Sequence, residues 1–115
     1  MEPKKHKIYI AGPIAGKDGY RLEFAAAAAD WRRIGWHVEN PVEIAAHMGI
    51  GDEATYDQLE LLKRLELSVI PRCDAIYLLK GWNKSPGALR ELQVALACGV
   101  TVIVSDDFAK ELPNE

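Results

Sequence analysis

Two glutamates sit where simple helical patterning does not expect charge. The stretch SPGALRE, residues 85–91, opens a predicted helix that runs on through LQVALACG to Gly99. At 100° per residue, Leu89, Leu92 and Leu96 form one apolar stripe, and Arg90, Gln93 and Ala97 the opposite, solvated side. Glu91 belongs to neither. Its neighbours at helical spacing are Gly87, Ala88, Ala95 and Cys98, small residues that let a helix approach a sheet or a ligand closely. A carboxylate on that face is expected to be half buried, with a pKa open to desolvation. The plainer alternative is a surface glutamate that favours the positive end of the helix dipole. In the preceding helix Glu66 falls on the stripe of Leu59, Leu62, Val69 and Ile70. It either needs a partner or ligand there, or reaches solvent and pairs with Lys63 or Arg72. Two inward carboxylates on helices flanking one crevice suit glycosyl chemistry. One can attack or stabilise an anomeric carbon while the other holds sugar hydroxyls.

Other residues could complete such a site. GPIAG, residues 12–16 (Gly12, Pro13, Ile14, Ala15 and Gly16), follows a strand and precedes a helix, so its backbone N–H groups could face an anion or a sugar. It matches neither GxGxxG nor GxxxxGK[ST], and a tight turn with no ligand is the alternative. Tyr9, in the first apolar strand, carries a phenol that wants a hydrogen-bond partner when buried. A crevice carboxylate could supply one, or Tyr9 is an ordinary core residue. Trp82 could stack on a base or cap the core. Trp31 and Trp36 read as packing residues of the first helix. His6, His37 and His47 lack metal-ligand spacing, so neither a metal nor another cofactor is expected.

The elements that must position these groups alternate regularly. Strands are predicted at 6–12, 36–40, 74–80 and 100–104, and helices at 20–34, 55–70 and from Pro86 to Gly99. Pro86 suits the first helical position because its missing N–H loses no bond there. Residues 41–53 hold two glycines and no period, and read as a loop. Strands alternating with helices imply an α/β fold: a flavodoxin-like or Rossmann-like three-layer sandwich, its parallel sheet ordered 2-1-3-4. Such sheets bind ligands at the carboxyl ends of the strands where the order reverses, beside strands 1 and 3. That places residues 12–16, 81–85 and the start of the last helix around one crevice.

With 115 residues the chain is expected to form one domain, 1–115. A net charge of −3 with no large basic cluster disfavours a nucleic-acid partner. No apolar run approaches the ~20 residues that span a bilayer, and no signal-peptide core precedes the first strand. Cys73 and Cys98 lie outside any CxxC, so a reduced, cytoplasmic setting is expected.

Taken together, KIYIAGP near the start, the RCDAIYLL strand and W-x-x-S-x-G-x-x-x-E before an alanine-rich helix resemble the nucleoside 2-deoxyribosyltransferase superfamily. The nearest branch is its small group of domains of unknown function, and the resemblance covers about residues 7–105. It implies that Glu91 is the nucleophile at C1′ and that Tyr9 orients it. Ser85 stands where transferases of free nucleosides carry an aspartate for the 5′-hydroxyl. The similar deoxynucleoside 5′-monophosphate N-glycosidases carry a serine there that binds phosphate. A hydroxyl accepts a phosphate dianion that a carboxylate would repel, so the resemblance leans toward a nucleotide, with Gly87 and the helix start assisting. Glu66 departs from the family pattern, which has the shorter aspartate at that position. The resemblance also implies a homodimer or higher homo-oligomer, because longer relatives complete the site with a neighbour's C-terminal segment. Here either the site is open, or the tail from Ser105 serves as a stub, or activity has been lost.

The leading expectation is therefore cleavage or transfer of the N-glycosidic bond of a (deoxy)nucleoside or its 5′-monophosphate through Glu91. Glu66 would hold sugar hydroxyls or help protonate the base, and Ser85 and Gly87 would take the phosphate. A non-catalytic nucleotide-binding module of the same fold is the alternative, and a ligand-free adaptor the third.

Overall fold

The computed structural model describes residues 6–105. Four parallel strands, β1 (Lys7–Ala11), β2 (His37–Glu39), β3 (Ala75–Leu78) and β4 (Thr101–Val104), form one sheet in the order β2-β1-β3-β4. The helices are α1 (Tyr20–Arg33), α2 (Pro41–His47), α3 (Tyr56–Val69) and α4 (Pro86–Ala97). Single 3₁₀ turns cover Ile70–Arg72 and Trp82–Lys84. The expected fold and strand order are thus both found. The tail residues 106–115 lie outside the described residues.

Two apolar clusters flank the sheet because successive strand residues point to opposite faces. Tyr9, Ala11, Ile76 and Leu78 pack with Ala88, Ala95 and Ile70 on the side of α3 and α4. Ile10, Leu79 and Tyr77 pack with Phe24 and Ala28 of α1 on the other. Registers such as Tyr9↔Ile76 and Ile76↔Val102 fix this alternation across three strands. Residue 12 must be glycine on packing grounds. A Cβ there would stand 2.9 Å from Leu79 Cβ.

Two expectations are corrected. Residues 41–47 are helical, not loop. The Asn40 side chain caps α2 by accepting the Val42 N–H at 2.9 Å, and Pro41 is its first residue. Gly49, at φ +71°, closes the helix: its N–H donates to Ala46 O and that of Ile50 to Ala45 O. Second, the leucine stripe of α4 is not its most buried side, although Leu92 packs half-buried against the core. The buried residues of α4 are Ala88, Glu91 and Ala95, whereas Leu89 and Leu96 are 37% and 62% exposed. The small residues win because they let the helix lie close on β1, β3 and β4. The stripe of α3 is likewise shallow: Leu59 is exposed and only Ile70, just beyond the helix, is fully buried.

Candidate active site

Glu91 is held by the two elements the sheet order brings together. α4 begins just past β3, and its buried face lies against the core cluster that contains Tyr9 of β1. The Tyr9 hydroxyl donates to Glu91 Oε2 across a buried contact. Tyr9 is fully buried and Glu91 is 8% exposed. Ser85 fixes the start of the helix. Its hydroxyl oxygen accepts the Ala88 N–H at 3.2 Å, and its carbonyl the Leu89 N–H at 2.9 Å.

The pair opens into a cavity of about 410 Å³. Its walls come from the β1–α1 loop (Gly12, Pro13, Ile14, Ala15), from α3 (Lys63, Glu66, Leu67) and from the α4 entry (Lys84–Ala88, Arg90, Glu91). The expected crevice at the carboxyl ends of β1 and β3 is where this cavity lies. A second cavity of about 260 Å³ shares Ile14 and Glu66 with the first. α2 supplies much of its wall through Pro41, Val42, Ala45 and Ala46, with Leu59 and Leu62 of α3 opposite.

The electrostatics follow from burial. Desolvation pushes Glu91 up to about 7, against the Tyr9 hydrogen bond and the Arg90 charge, which both favour its ionised form. Desolvation, then the charge on Glu91, pushes Glu66 up to about 8. Glu66 therefore holds its proton more firmly, because Glu91 has the Tyr9 hydroxyl and Glu66 does not. Burial beside Glu91 raises the Tyr9 phenol well above its ordinary range, so it remains a donor. One carboxylate able to ionise near neutrality, next to one that stays protonated, is the arrangement of a nucleophile with an acid.

Of the residues singled out from the sequence, Gly12, Pro13, Ile14, Glu66, Ser85, Gly87 and Glu91 line the first cavity. Tyr9 lies behind it, against Glu91. Gly16 does not line it: this part of the loop is a tight turn closed by the Lys17 N–H on Ile14 O. Trp82 lines neither cavity and packs against the core beneath α4, the alternative considered for it. Lys63 bridges to Glu60 at 3.0 Å, not to Glu66. The sequence reading missed Lys63, Lys84 and Arg90 as cavity residues; only proximity to Glu66 and Ser85 signalled them. Among the described residues, no group of three His, Cys, Asp or Glu side chains could hold a metal ion, and no helix is long and apolar enough to cross a membrane.

Residues 6–104 match the family described as "Domain of unknown function (DUF4406)". The chain belongs to the DUF4406 family. Comparison with curated proteins finds no match. Among solved structures, this DUF4406 chain resembles the 2-deoxyribosyltransferase of the psychrotolerant bacterium Bacillus psychrosaccharolyticus, with a TM-score of 0.69. The two are 19% identical, over 85% of this chain and 70% of that one. The likeness is one of fold, and at that level the resemblance seen in the sequence is borne out. The DUF4406 match spans all four strands and α4, and so takes in both members of the Tyr9–Glu91 pair.

Proposed function

We propose that this protein cleaves or transfers the N-glycosidic bond of a (deoxy)nucleoside or nucleoside 5′-monophosphate. The observation that carries the reading is the buried Tyr9–Glu91 pair opening on a cavity shared with Glu66 and Ser85. A Glu91 oxygen bonds to C1′ as the C1′–N bond breaks, and the bonding electrons leave with the base. Glu66, protonated, donates its proton to the departing base. Water then attacks C1′ of the glycosyl-enzyme, Glu66 recovers a proton from it, and the sugar leaves Glu91. A second base in place of water makes the reaction a transfer. Tyr9 is a positioning residue that holds the Glu91 carboxylate and favours its charged form. The second cavity, walled by Val42, Leu59 and Leu62 with Tyr20 and the Arg21–Asp52 pair beside them, gives the base a place next to Glu66. The partner is thus a small nucleotide or nucleoside, and the resemblance adds a second copy of the chain as an oligomeric partner.

A second reading keeps the ligand and drops the chemistry. Burial leaves Glu91 near half-protonated at neutral pH, which weakens it as a nucleophile and suits a binding module. Free-base release separates the two. Purified protein and Glu91→Ala are incubated with nucleosides and their 5′-monophosphates, and the products are separated by chromatography. Release that disappears in Glu91→Ala supports the glycosidase. Full activity in that variant, or no release by a folded wild type that binds the intact nucleotide, defeats it; the second outcome establishes the binding module.

A further inference from the structure

We infer that two copies of the chain pair edge to edge through β4, about a two-fold axis, so that one sheet runs through both. The sheet has two outer strands, β2 and β4, and they differ in kind. At β2 the His37 N–H donates to His6 O, so only Val38 turns its backbone outward, between His37 and Glu39. A very short strand flanked by polar, charged residues is how natural sheets blunt an edge. β4 has no such protection. Its sequence is TVIV, without charge or proline. The Thr101 N–H donates to Asp74 O and the Ser105 N–H to Leu78 O, so this register turns toward β3. The period of two leaves Val102 and Val104 to present N–H and C=O outward. Among the described residues, no strand pairs with that edge.

The side chains beside the edge are apolar too. Leu92, Val102 and Val104 are half-buried at the rim of the core, and Leu89 and Leu96 continue the leucine stripe at 37% and 62% exposure. α3, in the β2–β3 crossover, lies toward β1, and the cavity between it and α4 takes Arg90 and Glu91. The leucine flank of α4 is the other one, beside β4. A two-fold axis at Ile103 sets Val102 opposite Val104 of the second copy, each pair exchanging both backbone hydrogen bonds, with both α4 helices on one face. Strands about 4.8 Å apart bring these helices to packing distance, about 8–10 Å, antiparallel and leucine to leucine. β4 brings no charge to the contact, so the copies meet without repulsion. The rival occupant is the chain's own residues 106–115, DDFAKELPNE. They are rich in acidic residues and helix formers and include Pro113, and so offer the edge a poor strand. The pairing is distinct from the neighbour's C-terminal segment that the resemblance implies, and it leaves the Glu91 cavity open.

The test is sedimentation velocity on the full-length wild type, Val104→Pro and Leu96→Glu, with amide exchange followed by NMR. Wild type is expected to sediment as a dimer, with the Val102 and Val104 amides protected as the dimer forms. Val104→Pro removes an outward N–H from each copy and leaves the bonds to β3 in place. It weakens dimerisation about tenfold or more. Leu96→Glu, at an exposed position, does the same by placing a charge in the contact. A monomeric wild type overturns the inference, whatever covers the edge instead. So does a dimer whose Val102 and Val104 amides exchange freely, or one that survives in folded Val104→Pro. Should Val104→Pro fail to fold, free exchange or an unweakened dimer in Leu96→Glu overturns it. The Glu91 chemistry stands apart: base release by a monomer defeats only the pairing, and a dimer that releases no base defeats only the glycosidase.

Discussion

Glu66 and Glu91 face one cavity from two helices, and Glu66 holds its proton to the higher pH, about 8 against about 7. Their order matters more than the separate values. The group hydrogen-bonded by Tyr9 ionises first, and its charge then opposes ionisation of the other.

The pH dependence of base release follows. The rate rises as Glu91 loses its proton through about pH 7 and falls as Glu66 loses its own through about pH 8. A narrow bell in kcat/KM is expected, its limbs belonging to the coupled pair. Glu66→Gln removes the alkaline limb and lowers the maximum by on the order of 10²-fold. A descending limb unchanged in that variant would assign it to another group.

Tyr9→Phe deletes one oxygen from a packed core and leaves the Glu91 carboxylate without its donor. A hydrogen bond to the charged form lowers a carboxylate pKa, so its loss moves the acid limb to higher pH. Activity at neutral pH falls about tenfold or more. A variant with reduced kcat but an unmoved acid limb would reduce Tyr9 to packing.

The same burial costs stability. The folded state keeps a proton on Glu66 up to about pH 8, whereas an ordinary glutamate loses it at 4.5. Between those values the folded form binds more protons than the unfolded one, so stability falls as pH rises through that window. Glu66→Gln cancels the term. Its melting temperature should exceed that of wild type by a few degrees above pH 8 and converge with it below about pH 4.5.

Gly12→Ala tests whether the glycine serves the core or a ligand. The added methyl meets the Leu79 Cβ, which moves only with its backbone. A destabilisation of about 1–3 kcal/mol is expected in denaturant titrations of the apo protein. An unchanged midpoint with weakened nucleotide binding would return the glycine to a ligand role.

The sheet and its order were legible because apolar runs at 6–12, 74–80 and 100–104 alternate with helical segments bounded by Gly35, Pro86 and Gly99. Glu91 was legible as a charge on a small-residue face, and that face is the buried one. The apolar stripe did not mark the deepest side of α4: Leu89 and Leu96 are exposed while Ala88 and Ala95 are buried, because alanines allow a closer approach to the sheet than leucines do. α2 was missed although its signals were present, an Asn40 cap, Pro41 first and Gly49 after the end. At seven residues it is too short to show a period. Trp82 and Gly16 were drawn toward the site by their place in loops, which does not reveal where a side chain packs.

Tyr9 and Glu91 are separated by 82 positions in the chain, and only the completed β1–β3–α4 assembly joins them. Any opening that lifts α4 from the sheet dissolves the contact and returns Glu91 to water as an ordinary, weakly reactive surface acid. The proposed nucleophile is thus set up only by folding, and no fragment containing only one of the two elements carries the buried pair. On the proposed function a chain part-way to its native state is chemically silent, and base release during refolding should appear only with the long-range contacts that bring α4 onto β1.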